Sequence, residues 1–172
     1  MILATALGKF DNTVYDIVFY LHILSAIIGY GGVFLNGLYA QQAATRSARE
    51  GSAIGAANMS VSNVAEIFIY ANFAFGLILA IMAEDESPVG FDEPWLSLSM
   101  LLWIVAIALV HAVMRPAERA YNMDLVQQAE GKEPGSTGVD LDALNKKMGV
   151  TGAALNLLLV VVLYLMVFKP GA

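Results

Sequence analysis

The chain has 172 residues and a net charge of −6, with 58% hydrophobic and only 14% charged residues. Soluble domains carry about 25% charged residues, so this chain lacks the polar coat of a water-soluble fold, and its mean hydropathy is +0.66. The apolar content excludes disorder, the acidic balance argues against a nucleic-acid partner, and the absence of cysteine removes disulfides, thiolate metal sites and cysteine nucleophiles.

Residues 1–7 are apolar, but they lack a basic leader and a small-residue cleavage pattern, so no cleaved signal is expected there. About 20 predominantly apolar residues cross a hydrocarbon core. Four stretches meet that length, at 17–39, 64–82, 95–114 and 149–168, and Glu66 is the one acidic residue inside them. The expected fold class is therefore all-α, an integral membrane four-helix bundle, with residues 1–172 forming a single membrane domain.

Thr13 with Asp16, and Asn63 with Glu66, have capping-box spacing and predict the starts of the first two spans. Pro94 after Glu93 predicts the start of the third. Arg115-Pro116 predicts its end, with 117–130 extending as a polar helix and Gly131 to Thr137 forming a turn. Asp140 is expected to cap a short amphipathic helix carrying Leu141, Leu144 and Met148 along the membrane surface.

Lysine and arginine favour cytoplasmic loops. Arg46 and Arg49 follow the first span, and Arg115, Arg119, Lys132, Lys146 and Lys147 follow the third. Lys9 and Lys169 lie in the tails, while the second loop is acidic. A multi-pass cell-membrane protein is expected, with loops 40–63 and 115–148 in the cytoplasm and both termini outside. Its expected partners are membrane lipid and other membrane-protein subunits.

Positions 22, 25, 29, 32, 36 and 39 read His, Ser, Gly, Gly, Asn, Tyr, at spacings alternating three and four. Such a seam lets helix backbones approach closely and hydrogen-bond across the interface. Ser25, Gly29 and Gly32 are its expected packing residues. Gly149 and Gly152, with Asn156, offer a matching edge on the fourth span, and Asn72, Gly76 and Ala80 one on the second.

Ionisable groups inside a membrane are costly and point to function. His22 lies about 8 Å below one boundary and His111 about 24 Å below the same one, at a rise of about 1.5 Å per residue. The separation of about 16 Å along the normal excludes both histidines from one haem iron. Near the inner boundary, Glu66, His111, Asn36 and Arg115 form an expected polar cluster. It reads either as a proton-handling or ligand-gripping pair, or as a cap and a snorkelling side chain. Near the outer boundary, His22 shares its level with Met82, Ser97, Met100 and Tyr164. Imidazole with thioether suits haem iron or Cu(I), and a histidine hydrogen-bonded within the bundle suits the same residues. No hydrolase triad, phosphate loop or zinc-protease helix is present.

Leu21-His22-Ile23-Leu24-Ser25-Ala26, followed by Gly29-Tyr30-Gly31-Gly32-Val33-Phe34, resembles the first helix of a group of small bacterial membrane proteins. The group includes an uncharacterised predicted-membrane-protein family of about this length, and it is similar to copper-resistance protein D and the J-type membrane protoporphyrinogen oxidase. In the porphyrin-oxidising relatives a first-helix histidine is tied to haem. The resemblance implies that role for His22 alone, and the placement by depth adds Met100 as the expected companion in cofactor binding. The leading expectation is a non-catalytic structural or accessory subunit of a membrane complex, with no catalytic residue and no bare-metal site. The alternatives are a haem- or metal-binding protein centred on His22, and a small enzyme acting on a lipid-soluble substrate in a cleft reaching His111 and Glu66.

Overall fold

A computed structural model describes residues 12–83 and 93–171. Residues 1–7, Lys9 and most of the acidic second loop lie outside the described residues. The helices are α1 (Asn12–Ala44), α2 (Ala48–Ala83), α3 (Pro94–Leu109), a π-helical turn (Val110–Met114), α4 (Arg115–Ala129) and α5 (Leu141–Phe168). Among the described residues there is no strand. The fold is an all-α four-helix bundle, and each of its four long helical segments is apolar enough to cross a membrane. The outward surface is correspondingly rich in large apolar side chains such as Ile27, Phe34, Ile67 and Leu157, as the hydrocarbon solvent demands.

The helices are longer than the apolar stretches. α1 and α2 run 33 and 36 residues, about 50 Å at 1.5 Å per residue, against a hydrocarbon core of about 30 Å. The surplus extends at the end where α1 turns into α2 and α4 connects to α5, here termed the hairpin end. The opposite end, where α1 and α3 begin and α2 and α5 finish, is the open end.

Several local starts differ from the expected ones. α2 begins sixteen residues before Val64, at Ala48, and Asn63 and Glu66 are mid-helix. The working capping box is Ser47 with Glu50. Ser47 Oγ accepts from the Glu50 amide at 3.4 Å while the Glu50 carboxylate accepts from the Ser47 amide at 3.3 Å. Asp140 does cap a helix, its side chain accepting from Ala143 N, but that helix continues unbroken through the fourth span to Phe168. The segment carrying Leu141, Leu144 and Met148 is therefore its first turns rather than a separate surface helix.

Pro116 does not end the third span. A proline inside an α-helix has no N–H to give and collides with the carbonyl four residues back. The chain absorbs it by widening one turn, so that the Arg115 amide bonds to Val110 O, five residues back. The helix then continues as α4. Beyond it, Asp124 is fully buried and latches the following turn. It accepts from Gln128 Nε2 at 2.7 Å, Thr137 Oγ1 at 2.9 Å and Gly135 N at 3.2 Å. The Gln128 bond first, and then those from Gly135 and Thr137, hold its carboxyl below the usual aspartate value despite burial.

α1 and α2 form the tightest pair. A Cβ on Gly29 would lie 3.0 Å from Ile69 N, and one on Gly32 would lie 2.8 Å from Ala65 Cβ. α3 packs on α5, and α4 on the extended start of α2, where Gly55 meets Asn122. Among the described residues, the backbones of α2 and α3 make no close approach. They meet only through side chains, with Ala80, Trp95, Leu96 and Leu165 forming a small core near the open end. The molecule is thus two helical hairpins, packed closely through α4 on α2 at the hairpin end and meeting elsewhere through α1 on α5 and through side chains.

Candidate functional site

The separation of the hairpins leaves a cavity of about 840 Å³ with all four long helices in its walls. Ligand pockets span about 300–1,000 Å³ and are mostly apolar with a few placed polar groups. The walls here are largely leucine, valine, alanine and aromatic, and the polar groups include His22, Asn72, Tyr30 and Ser99. Both tryptophans of the chain, Trp95 and Trp103, line it.

His22 is fixed by α2. Its Nδ1 lies 2.9 Å from the backbone oxygen of Asn72, and the Asn72 amide donates back to the backbone oxygen of His22 at 2.9 Å. A carbonyl oxygen only accepts, so Nδ1 carries the proton and donates, and Nε2 keeps its lone pair. Gly76 gives the ring room, since a Cβ there would stand 3.0 Å from His22 Cε1. Asn72 is itself buried and lies 3.4 Å from the Tyr30 hydroxyl, which donates to its Oδ1. A histidine whose Nδ1–H is held by a carbonyl presents Nε2 as a pre-oriented ligand.

Met100 and Met82 line the same cavity as His22. Ser97 and Tyr164, placed at that level by helix rise, are not among its lining residues, and Tyr164 packs tilted against Phe168 at the surface, with ring centroids 4.8 Å apart. Ser99, one turn into α3, takes the buried polar position that sequence reading gave to Ser97.

The second group forms at the π-turn. Glu66 Oε1 accepts from His111 Nε2 at 2.9 Å and from the Tyr70 hydroxyl at 3.0 Å, and Oε2 accepts from Arg115. Arg115 also donates to Asn63 Oδ1 at 2.8 Å. Two helical repeats meet here: Asn63, Glu66 and Tyr70 on one face of α2, and His111 and Arg115, four apart, across the widened turn. The group lies on the flank of the bundle, with the His111 side chain 47% exposed. Asn36 does not join it, because its Oδ1 accepts from Ser62 at 3.2 Å. Tyr70 and Asn63 were missed as members. The i, i+4 spacing of Glu66 and Tyr70 was the available signal.

The cavity does not reach Glu66 or His111. Trp103 stands between, stacked on Phe73 at 4.1 Å and edge-on to Tyr70 at 5.8 Å. The cleft therefore belongs to His22, contrary to a cleft reaching the inner cluster. His22 is tied to Asn72 in the cavity wall, whereas His111 Nε2 lies 2.9 Å from both Glu66 Oε1 and the Tyr70 hydroxyl, outside the cavity. The two histidines thus do not share a site, since His22 lines the cavity and His111 does not.

Among the expected packing residues, Ser25 is 3% exposed and bonds back to Leu21 O at 2.7 Å. Gly29 and Gly32 face Ile69 and Ala65. Gly152 lies in ordinary contact with Met114, while Gly149 faces open space. Gly149 is thus not a packing residue of this bundle, because its face of α5 points outward at the hairpin end.

A family model described as a predicted integral membrane protein, DUF2269, matches residues 16–170. The chain belongs to that family. No curated protein and no solved structure matches it. The matched region takes in all four spans, the described cavity walls from Asp16 to Lys169 apart from Tyr15, and the cluster at the π-turn. The chain is an integral membrane protein.

Proposed function

We propose that this protein is a non-catalytic, ligand-holding membrane protein, with haem the first candidate ligand and His22 the residue that would hold it. The observation that carries this reading is an apolar cavity between the two hairpins into which a histidine of fixed tautomer is set. His22 is tied by Asn72 and seated against Gly76, and Met100 lines the same cavity. Imidazole and thioether are donors that would suit haem iron. A bare metal ion is less well served, since the described residues hold no group of three or more histidine or acidic side chains. The resemblance of residues 21–34 to the first helix of the porphyrin-oxidising group implies the same role for His22.

In this reading Asn72 holds the imidazole plane and Gly76 leaves space for it. The apolar walls exclude water, and Phe73 with Trp103 closes the floor. When bound, haem supplies one-electron redox chemistry, which suits an accessory subunit passing electrons within a larger membrane complex. The experiment is an absorption spectrum with metal analysis on mildly solubilised protein, before and after reconstitution with haemin. A Soret band lost in His22→Ala, shifted in Met100→Leu and weakened in Asn72→Ala is expected. Full-length protein that stays colourless after reconstitution refutes the assignment.

We also place the hairpin end in the cytoplasm and both termini outside, because that end carries Arg46, Arg49, Arg115, Arg119, Lys132, Lys146 and Lys147. The chain has no native cysteine, so single cysteines report cleanly. One at Ser136 is expected to resist an impermeant maleimide in intact cells, and one at Gly171 to react. The reverse pattern inverts the topology.

A further inference from the structure

The open end of the cavity carries a cation in an unusual backbone setting. Lys169 follows the last turn of α5 with φ 42° and ψ 58°, and it is the single non-glycine residue with positive φ among the described residues. A left-handed residue closing a helix is ordinarily glycine, because a Cβ there is sterically disfavoured. In this conformation the ammonium is folded back over the Trp95 ring, 5.4 Å from its centroid, rather than extended away from the bundle. Trp95 is 5% exposed, and both residues line the cavity. Lys169 makes no ion pair among the described residues. Among the described residues one other charged side chain lines the cavity, Asp16 on α1.

From this geometry we infer that Lys169 is the carboxylate-anchoring residue of the cavity, which takes an apolar molecule bearing a carboxylate at its Lys169 end. This inference deepens the ligand-holding reading and rests on it for the cavity, but not on His22 or on iron. An ammonium without an ion pair among the described residues, beside an apolar chamber, gives a carboxylate a charge-assisted hydrogen bond at the point where an amphiphile's head would sit. The ring of Trp95 holds the cation in place meanwhile. Asp16 opposes a carboxylate and sets the affinity lower than Lys169 alone would give. The carboxylate is that of a porphyrin side chain or of a fatty acid, and the two arms below separate these sources.

Both tryptophans are cavity residues, so intrinsic fluorescence of the full chain in nanodiscs reads occupancy directly. Oleate is titrated against methyl oleate, and haemin against its dimethyl ester, for the unaltered chain and for Lys169→Gln, Lys169→Arg and Asp16→Asn. In at least one arm the free acid is expected to bind about tenfold more tightly than its ester, the worth of one charge-assisted hydrogen bond partly open to solvent. Lys169→Gln should remove that preference without changing ester binding. Lys169→Arg should retain it, and Asp16→Asn should increase it. A preference confined to the haemin arm assigns the carboxylate to a porphyrin, and one confined to oleate assigns it to a fatty acid. Equal binding of acid and ester in both arms, or a preference that survives Lys169→Gln, overturns the inference. His22→Ala separates this outcome from the haem assignment, because it should abolish the Soret signature and leave the acid–ester preference intact.

Discussion

The contact between α1 and α2 can be tested with a single methyl group. In Gly29→Ala the new Cβ would stand 2.9 Å from Ile69 Cγ1, 3.0 Å from Ile69 N and 3.2 Å from Ala65 O. The last two are backbone atoms of a helix, so α2 must move as a body and no rotamer change relieves the clash. Gly31, two residues on, has nothing within 4 Å of its Cβ position and serves as the control. Both substitutions gain the same helix propensity, about 1 kcal/mol. Their difference therefore isolates the overpacking cost, about 1–3 kcal/mol. For a chain of this length each kcal/mol moves the melting temperature by about 2–4 °C, so Gly29→Ala should melt ~2–12 °C below Gly31→Ala. Thermal unfolding in detergent micelles, followed by circular dichroism, measures it. Equal melting temperatures for the two variants would mean that the helices do not approach at Gly29, and the seam argument would fail with them.

Three further outcomes are expected. Glu66→Gln leaves Arg115 and His111 without their carboxylate and should destabilise the protein by about 1–3 kcal/mol, against about 0.5–1.5 kcal/mol for Tyr70→Phe. Chemical denaturation in micelles ranks the two, and a larger loss for Tyr70→Phe would show that the phenol rather than the charge ties α2 to the π-turn. His22→Ala should disturb thermal stability more than His111→Ala, because His22 bridges α1 to α2 while His111 is half exposed on the flank; equal tolerance would contradict that placement. The Asp124 latch has a defined pH sense. Its carboxyl is held below the usual value of 3.8 by Gln128, Gly135 and Thr137, so its contribution is fully present above 3.8 and disappears as pH falls through the lowered folded value. Hydrogen exchange at the Gly135 amide should accelerate over that acidic range and not between neutral pH and 5. A loss of protection already at mildly acidic pH would assign the latch to another group.

The amino-acid sequence by itself determined the solvent and the helix count. Four apolar stretches of membrane length leave no other way to satisfy so much backbone, and the small-residue spacing of Ser25, Gly29 and Gly32 marked the face of α1 that meets another helix. It also marked His22, since an imidazole on such a seam has few competitors. It misjudged where helices begin and end. Asn63 and Glu66 carry cap spacing but lie mid-helix, and Pro116 carries a stop signal that one widened turn absorbs, because these local patterns are overridden when neighbouring helices hold the chain in line. Only the tertiary structure decided that Asn72 fixes the tautomer of His22, that Tyr70 completes the group around Glu66, and that Lys169 folds back over Trp95. It alone showed that α2 and α3 stand apart and leave a chamber between them. Apart from Tyr70 and Glu66, which lie four apart on α2, these pairings join residues dozens of positions apart in the chain. Periodicity tells which side of a helix is polar, but the azimuth at which two helices meet is set by packing across the interface, which no single helix encodes.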